Sequence, residues 1–480
     1  MIYPQINTDR YTLKDGRQKI KLRLTPVLFM GLVFCFLNNQ VKAQDIKLPS
    51  VTRVTMNNGI RLVLMEYHRA PLLNVIAQFG GGSANDPGDK KGLAGIVADL
   101  LRKGTKTRNA NQIAEEIEFL GGDLSAGAGK DSMVVSLDVL AKDADAGLDL
   151  MADCIQNSVF PEAELNRTRD LDIANLQSLG ENPAGIAAIV ANGNVYGDSY
   201  YGLSPTVTSV KKIAPDDIVS FAHSRINQNN CTIIAVGDFK TSEMQAKLSS
   251  KFGSWSVKVP GGYVNKNAPT PQKPGITLVD KPDATQTQVR WGRLAIPEND
   301  PNRPAADVAN TILGGGFTSR LTDEIRVNRS LTYGIGSNFA GLQSAGTFGV
   351  STFTKIETTR ELIDAVREVL TKTATKGFTQ GELDKVKGFM AGMFAQGLQT
   401  PGAIAGQLSQ IELYGLPQDY FATYLTKIRA VTLSDVNKIA KTYFDPANLT
   451  LTLVAPASKV KEKLTGLGEI KIVPVGDVGK

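Results

Sequence analysis

Histidine is almost missing from this chain: His68 and His223 are the only two in 480 residues. Cysteine and tryptophan are scarce as well, at three and two. Each shortage excludes something. Two histidines without partners at ligand spacing support neither a Ser–His–Asp triad nor a histidine-rich metal centre. Cys35, Cys154 and Cys231 do not make a disulfide framework. An excess of one charge is lacking too. The net charge is +6, but residues 1–43 hold seven Lys/Arg and two acids, so the rest is close to neutral. That excludes the concentrated basic surface nucleic-acid binding requires.

Long apolar runs are also few. The main one, Leu24–Leu37, follows the basic stretch ending at Arg23 and precedes Val41-Lys42-Ala43. This is the order of a secretory signal, with residues 1–43 as the signal peptide. The alternative is an uncleaved anchor, but the run is short for a span and Pro26 interrupts it. The expectation is an exported protein of the periplasm or cell envelope, with no stable membrane span after cleavage. Cys154 and Cys231 then remain, and both read as small core residues, although a bridge stays open.

What is present is a duplication. The segment from Phe160, FPEAELNRTRD, matches FTQGELDKVKG from Phe378. Glu164 pairs with Glu382, Asp217 with Asp435 and Thr232 with Thr450, and every pair is 218 positions apart (164 to 382). One offset without a gap means two copies of a domain rather than a short solenoid repeat. The Pro- and Gly-rich stretch 259–274 reads as the linker between a first domain at 46–258 and a second at 275–476. Strand-like runs (GIRLVLMEY, LNVIAQF, DSMVVSLDVLA) alternate with helical ones (NQIAEEIEFLGG, DADAGLDLMADCIQ, Glu162–Ser178). The predicted fold class is α+β, each domain a sheet with helices packed on one face.

Gly92–Thr105, GLAGIVADLLRKGT, resembles the first-domain helix of the insulinase/pitrilysin (inverzincin) peptidase family, whose inverted zinc motif reads H-x-x-E-H. Lys103-Gly104-Thr105 matches the turn after that helix, and QFGGGSAND the strand and loop before it. The resemblance covers nearly all of the chain after the signal. It implies two metallohydrolase-like domains forming half of a clamshell, as in a subunit of the mitochondrial processing peptidase.

The chemistry of the motif is gone. Catalytic zinc needs three protein ligands and a water. Two His four apart on a helix supply two ligands, and a Glu beside them takes the proton of the water. Aligned on Lys103-Gly104-Thr105, the His positions are Gly95 and Asp99, and the Glu position is Ala98. The family's third ligand falls near Asn175, flanked by Ala174 and Leu176. Glycine and alanine offer no donor atoms, so the chain is expected to bind no zinc itself.

A second segment, Leu313–Phe339, resembles a recurrent second-domain stretch of the family, in which an Arg and a Tyr seven residues later reach bound peptide. Here they are Arg326 and Tyr333. On spacing alone, Arg326 could equally pair with Asp323, and Tyr333 could bury its ring in a strand. The resemblance implies a non-catalytic subunit of a heterodimeric zinc peptidase, with peptide substrates and a zinc-bearing partner of similar size carrying H-x-x-E-H. The competing expectation is a peptide-binding or scaffold protein with no protease partner. The triple glycine Gly314–Gly316 lacks a Gly-Lys-Ser/Thr ending and reads as a tight helix end rather than a phosphate loop.

Overall fold

The computed structural model describes residues 49–258 and 268–478. The signal-peptide reading of residues 1–43 and the linker reading at 259–267 lie outside the described residues. No described helix is long and apolar enough to cross a membrane.

The described residues form two six-stranded mixed sheets. The first contains β1 (Val51–Thr55), β2 (Arg61–Glu66), β3 (Leu72–Gly80), β4 (Asp123–Ala128), β5 (Ser132–Leu140) and β6 (Cys231–Gly237), in the order β1-β2-β6-β3-β5-β4. The second contains β7 (Ile276–Asp280), β8 (Gln286–Ala295), β9 (Ile335–Ala340), β10 (Gly346–Lys355), β11 (Thr450–Ala455) and β12 (Ile470–Pro474), in the order β12-β7-β11-β8-β10-β9. Five successive positions correspond, β2 to β7 through β4 to β9. The outer strands differ: β1 runs antiparallel to β2, whereas β12 runs parallel to β7.

The helices keep the offset of the repeat. Glu162–Ser178 corresponds to Gln380–Gln396, Pro183–Tyr196 to Pro401–Tyr414, and Pro215–Arg225 to Leu433–Tyr443, each 218 positions on (183 to 401). Even the caps correspond. Asn182 accepts the Gly185 N–H at 3.0 Å, Thr400 accepts that of Ala403 at 3.2 Å, and Pro follows each cap.

Each sheet packs its own helices on one face, as expected. On the first sheet, Leu62, Leu64, Leu73, Val75 and Ala77 meet helix residues such as Ile96, Leu148 and Leu248 in one core. The opposite face is apolar as well, and a helix from the other domain covers it. Val63, Met65, Ile234 and Val236 pack with Ile404, Leu408 and Ile411 of Pro401–Tyr414. Reciprocally, Ile186 and Ala187 of Pro183–Tyr196 pack with Val279 and Val454 of the second sheet. Polar bonds pin the exchange: Gln78 donates to Ser409 at 2.7 Å, Arg53 to Glu412 at 2.8 Å, and Asn194 to Thr452 at 2.9 Å. Burying each Leu or Ile is worth about 1.5–3 kcal/mol, so neither sheet can leave this second face open cheaply.

Cys154 and Cys231 are free and buried in the first core. Their reading as small core residues holds, and the optional bridge does not form.

Candidate functional site

The two helices that would hold zinc do come together. Leu93–Leu100 packs against Glu162–Ser178, with Gly95, Ala98 and Asp99 on the first and Asn175 on the second. Asp86 holds the start of the first helix. Its carboxylate accepts the N–H of Gly92 at 2.9 Å and of Ala94 at 2.8 Å. Sequence reasoning passed over this residue, though an acid just ahead of an apolar helix is a recognisable signal.

The residues at the ligand positions do not fit zinc. A side-chain carbon added at Gly95 would meet nothing within 4 Å, so that position offers empty space. Ala98 is a buried methyl group, and Asn175 is exposed. Asp99 is the one carboxylate of the set. Its charge is felt by Asp172, one turn before Asn175. Desolvation raises the pKa of both, and the charge of Asp99 pushes Asp172 further. Two carboxylates that repel each other are not a three-ligand centre. Among the described residues, no group of three or more His, Cys, Asp or Glu is placed to hold a metal.

The histidines lie elsewhere. His68 follows β2, exposed, with Nδ1 2.7 Å from Asp238 and Nε2 3.2 Å from Glu66. Asp238 first, then Glu66, raise its pKa by hydrogen bonding to the imidazolium. His223 is exposed on Pro215–Arg225.

Beside the altered helix runs β4, an outer strand paired only with β5 among the described residues. Arg102 donates to the Leu124 carbonyl at 2.8 Å, which blunts this edge at one point. The strand continues through Ser125–Ala128.

Arg326 and Tyr333 share one cavity of about 760 Å³. Gly314–Gly316, Phe317, Thr318, Ser319 and Thr322 form part of its wall, and Lys385, Val386 and Phe389 of Gln380–Gln396 form another part. Arg326 lies in the π-helical turn Thr322–Asn328, where the Arg329 N–H bonds back to the Glu324 carbonyl five residues earlier. Such wide turns recur at functional sites. The guanidinium stands over the Phe317 ring, 5.7 Å from its centre, and forms no ion pair with Asp323. Tyr333 precedes β9 and is 84% exposed, so its ring is not buried. Gly314 and Gly315 sit tight against backbone: an added carbon would lie 2.7 Å from the Ser337 nitrogen and 2.8 Å from the Thr311 Cα. The first two glycines are thus a close-packed helix end, as the sequence suggests, whereas a carbon added at Gly316 would meet nothing within 4 Å.

Known proteins of the same kind bear on these observations. The sequence model described as Insulinase (Peptidase family M16) matches residues 62–193, and the one described as Peptidase M16 inactive domain matches 212–389. An uncharacterized zinc protease of Mycobacterium leprae is 28% identical over 401 residues, covering 81% of this chain and 88% of its own. The non-peptidase homolog YmxG of Helicobacter pylori is 23% identical over 451 residues, 92% of this chain and all of its own. The crystal structure of a peptidase M16 inactive domain from Pseudomonas fluorescens superimposes with a TM-score of 0.79 at 26% identity, over 85% of this chain and 98% of that one. Duplicated α+β domains, the altered motif helix and these similarities agree: the chain belongs to the insulinase family of M16 peptidases.

Proposed function

We propose that this protein is a non-catalytic subunit of a heterodimeric zinc metallopeptidase that cleaves peptides. A companion of similar size bearing H-x-x-E-H supplies the zinc and the general base. This chain supplies chamber wall and two donors, Arg326 and Tyr333. One contrast carries the reading. The zinc positions hold Gly95, Ala98, Asp99 and Asn175, whereas Arg326 and Tyr333 line an open cavity and spend no side-chain hydrogen bond among the described residues.

The chemistry is direct. A guanidinium and a phenol can both donate to a peptide carbonyl and to the oxyanion formed as water attacks it. Extended peptide can add to the β4 edge through backbone hydrogen bonds. No step passes through a metal held by this chain. The basic and apolar N-terminus supports export to the periplasm or cell envelope.

The test is mild affinity purification of the tagged chain from its own cells, with mass spectrometry of what co-elutes. A near-stoichiometric partner bearing H-x-x-E-H is the expected result. Recovery of the chain alone, with peptide affinity but no turnover, would replace this reading by that of a peptide-binding protein.

A further inference from the structure

The cavity around Arg326 has a charge pattern that two donors to a peptide backbone do not require. Lys385 lines it too, and among the described residues no carboxylate does. Neither cation has a hydrogen bond or an ion pair among the described residues. Two nearby arginines, by contrast, are matched to acids: Arg320 pairs with Glu382, and Arg329 with Glu324 and Glu368. The two unmatched cations therefore converge on one concave space.

The apolar part of the wall is equally out of place. Phe317 is 81% exposed, and Phe389 is half exposed. Val386 and Ile335 complete that side. Large apolar side chains bared together around a concavity mark a binding surface, whereas scattered ones do not. The cavity is also roomy enough for a large side chain.

We infer that this cavity is a specificity site for peptides that present a bulky apolar side chain next to a carboxylate. The inference rests on the reading of Arg326 and Tyr333 as peptide-binding donors. The apolar side chain lies against Phe317, Val386 and Phe389. Arg326 and Tyr333 hold the adjoining backbone carbonyl. The Lys385 ammonium meets the carboxylate as a point charge, which suits either a C-terminal carboxylate or an Asp/Glu side chain. Charge complementarity selects this occupant over a basic peptide, which would meet two unpaired cations.

Two glycines allow a test that spares the fold. A carbon added at Gly316 or Gly334 meets nothing within 4 Å, and both line the cavity. Gly316→Leu therefore fills the space without displacing the backbone. The experiment measures fluorescence anisotropy of labelled octapeptides on the isolated full chain. One amidated set has Phe-Glu, Phe-Gln or Ala-Glu at the centre, and a second ends in Phe as the free acid or the amide. Phe-Glu is expected to bind at least about tenfold tighter than Phe-Gln or Ala-Glu, a difference of roughly 1.4 kcal/mol. Lys385→Gln should abolish the preference for the carboxylate and keep that for Phe. Gly316→Leu should weaken every peptide. A preference confined to the second set would assign the carboxylate to a peptide C-terminus. Equal affinities across both sets, or a preference that both variants leave intact, would overturn the inference. Because no companion is present, this failure is separate from that of the subunit reading. Selective binding without a companion would leave the site standing and remove the subunit role. A companion whose turnover needs Arg326, with no peptide discrimination, would do the reverse.

Discussion

Arg320 holds Glu382 through two parallel hydrogen bonds, Nε to Oε1 at 2.6 Å and Nη2 to Oε2 at 2.8 Å. The guanidinium also lies over the Phe378 ring, 4.7 Å from its centre. The pair joins the segment that leads into Arg326 to the helix that carries Lys385 and Phe389, so it sets the distance between the two walls of the cavity. Among the described residues its counterpart by repeat, Glu164, makes only a long contact of 3.9 Å with Arg167. The clamp is specific to the domain with the cavity.

Glu382→Gln should cost about 1–3 kcal/mol in urea unfolding, because it trades charge-assisted bonds for a neutral one. The sign with pH follows from the pKa. Burial raises it, but Arg320 and the Thr379 cap outweigh burial and hold it at about 2, below the ordinary 4.5. The stabilisation is therefore complete above about 4.5 and lost as pH falls through about 2. A wild-type–variant difference that stays constant down to pH 2 would contradict this account.

Asp86 has the opposite dependence. Burial pushes its carboxyl up to about 6, against the pull of the Gly92 and Ala94 N–H groups and of Lys91 and Lys130. A raised carboxyl contributes stability below its unfolded value near 3.8 and loses it as pH rises through about 6. Asp86→Asn keeps one acceptor for two N–H groups. It should destabilise by about 1–2 kcal/mol at pH 4 and by less at pH 8, where the wild-type charge is itself costly. Thermal melts of both proteins at the two pH values provide the check.

Leu408→Ala should loosen a sheet to which Leu408 does not belong in sequence. The side chain is fully buried against β2 and β6 by the exchanged helix. A loss of about 2–5 kcal/mol is expected. Amide exchange in Leu72–Gly80 and Cys231–Gly237 should accelerate along with that of the helix. Acceleration confined to the second domain would argue against the interlock.

Much of this fold was legible. The repeat, the Glu162–Ser178 helix and most first-domain strands follow from spacing and periodicity. The exchange was not, because an apolar stripe tells that a face is buried and not which sheet buries it. A signal for two covered faces was nevertheless present. Cys231–Gly237 is apolar without alternation and buried at every residue, the mark of a strand covered on both sides. At the site, the altered zinc positions and the pair Arg326 and Tyr333 came from motif resemblance. Lys385, Phe389 and Phe317 did not, since nothing local distinguishes them from an ordinary exposed helix and loop.

Arg326→Ala, assayed in complex with a zinc-bearing companion, should lower kcat about 10²–10³-fold, the usual effect of deleting a donor to a developing oxyanion. Binding of the two chains should be unchanged. Full activity of the variant complex would remove Arg326 from the reaction.

The most direct measurement is the zinc content of the purified chain after incubation with zinc and exhaustive dialysis, taken together with its peptidase activity. With Gly95, Ala98, Asp99 and Asn175 at the ligand positions, no stoichiometric zinc and no turnover are predicted. One tightly held zinc per chain, with peptide cleavage that a chelator abolishes, would contradict the account at its centre.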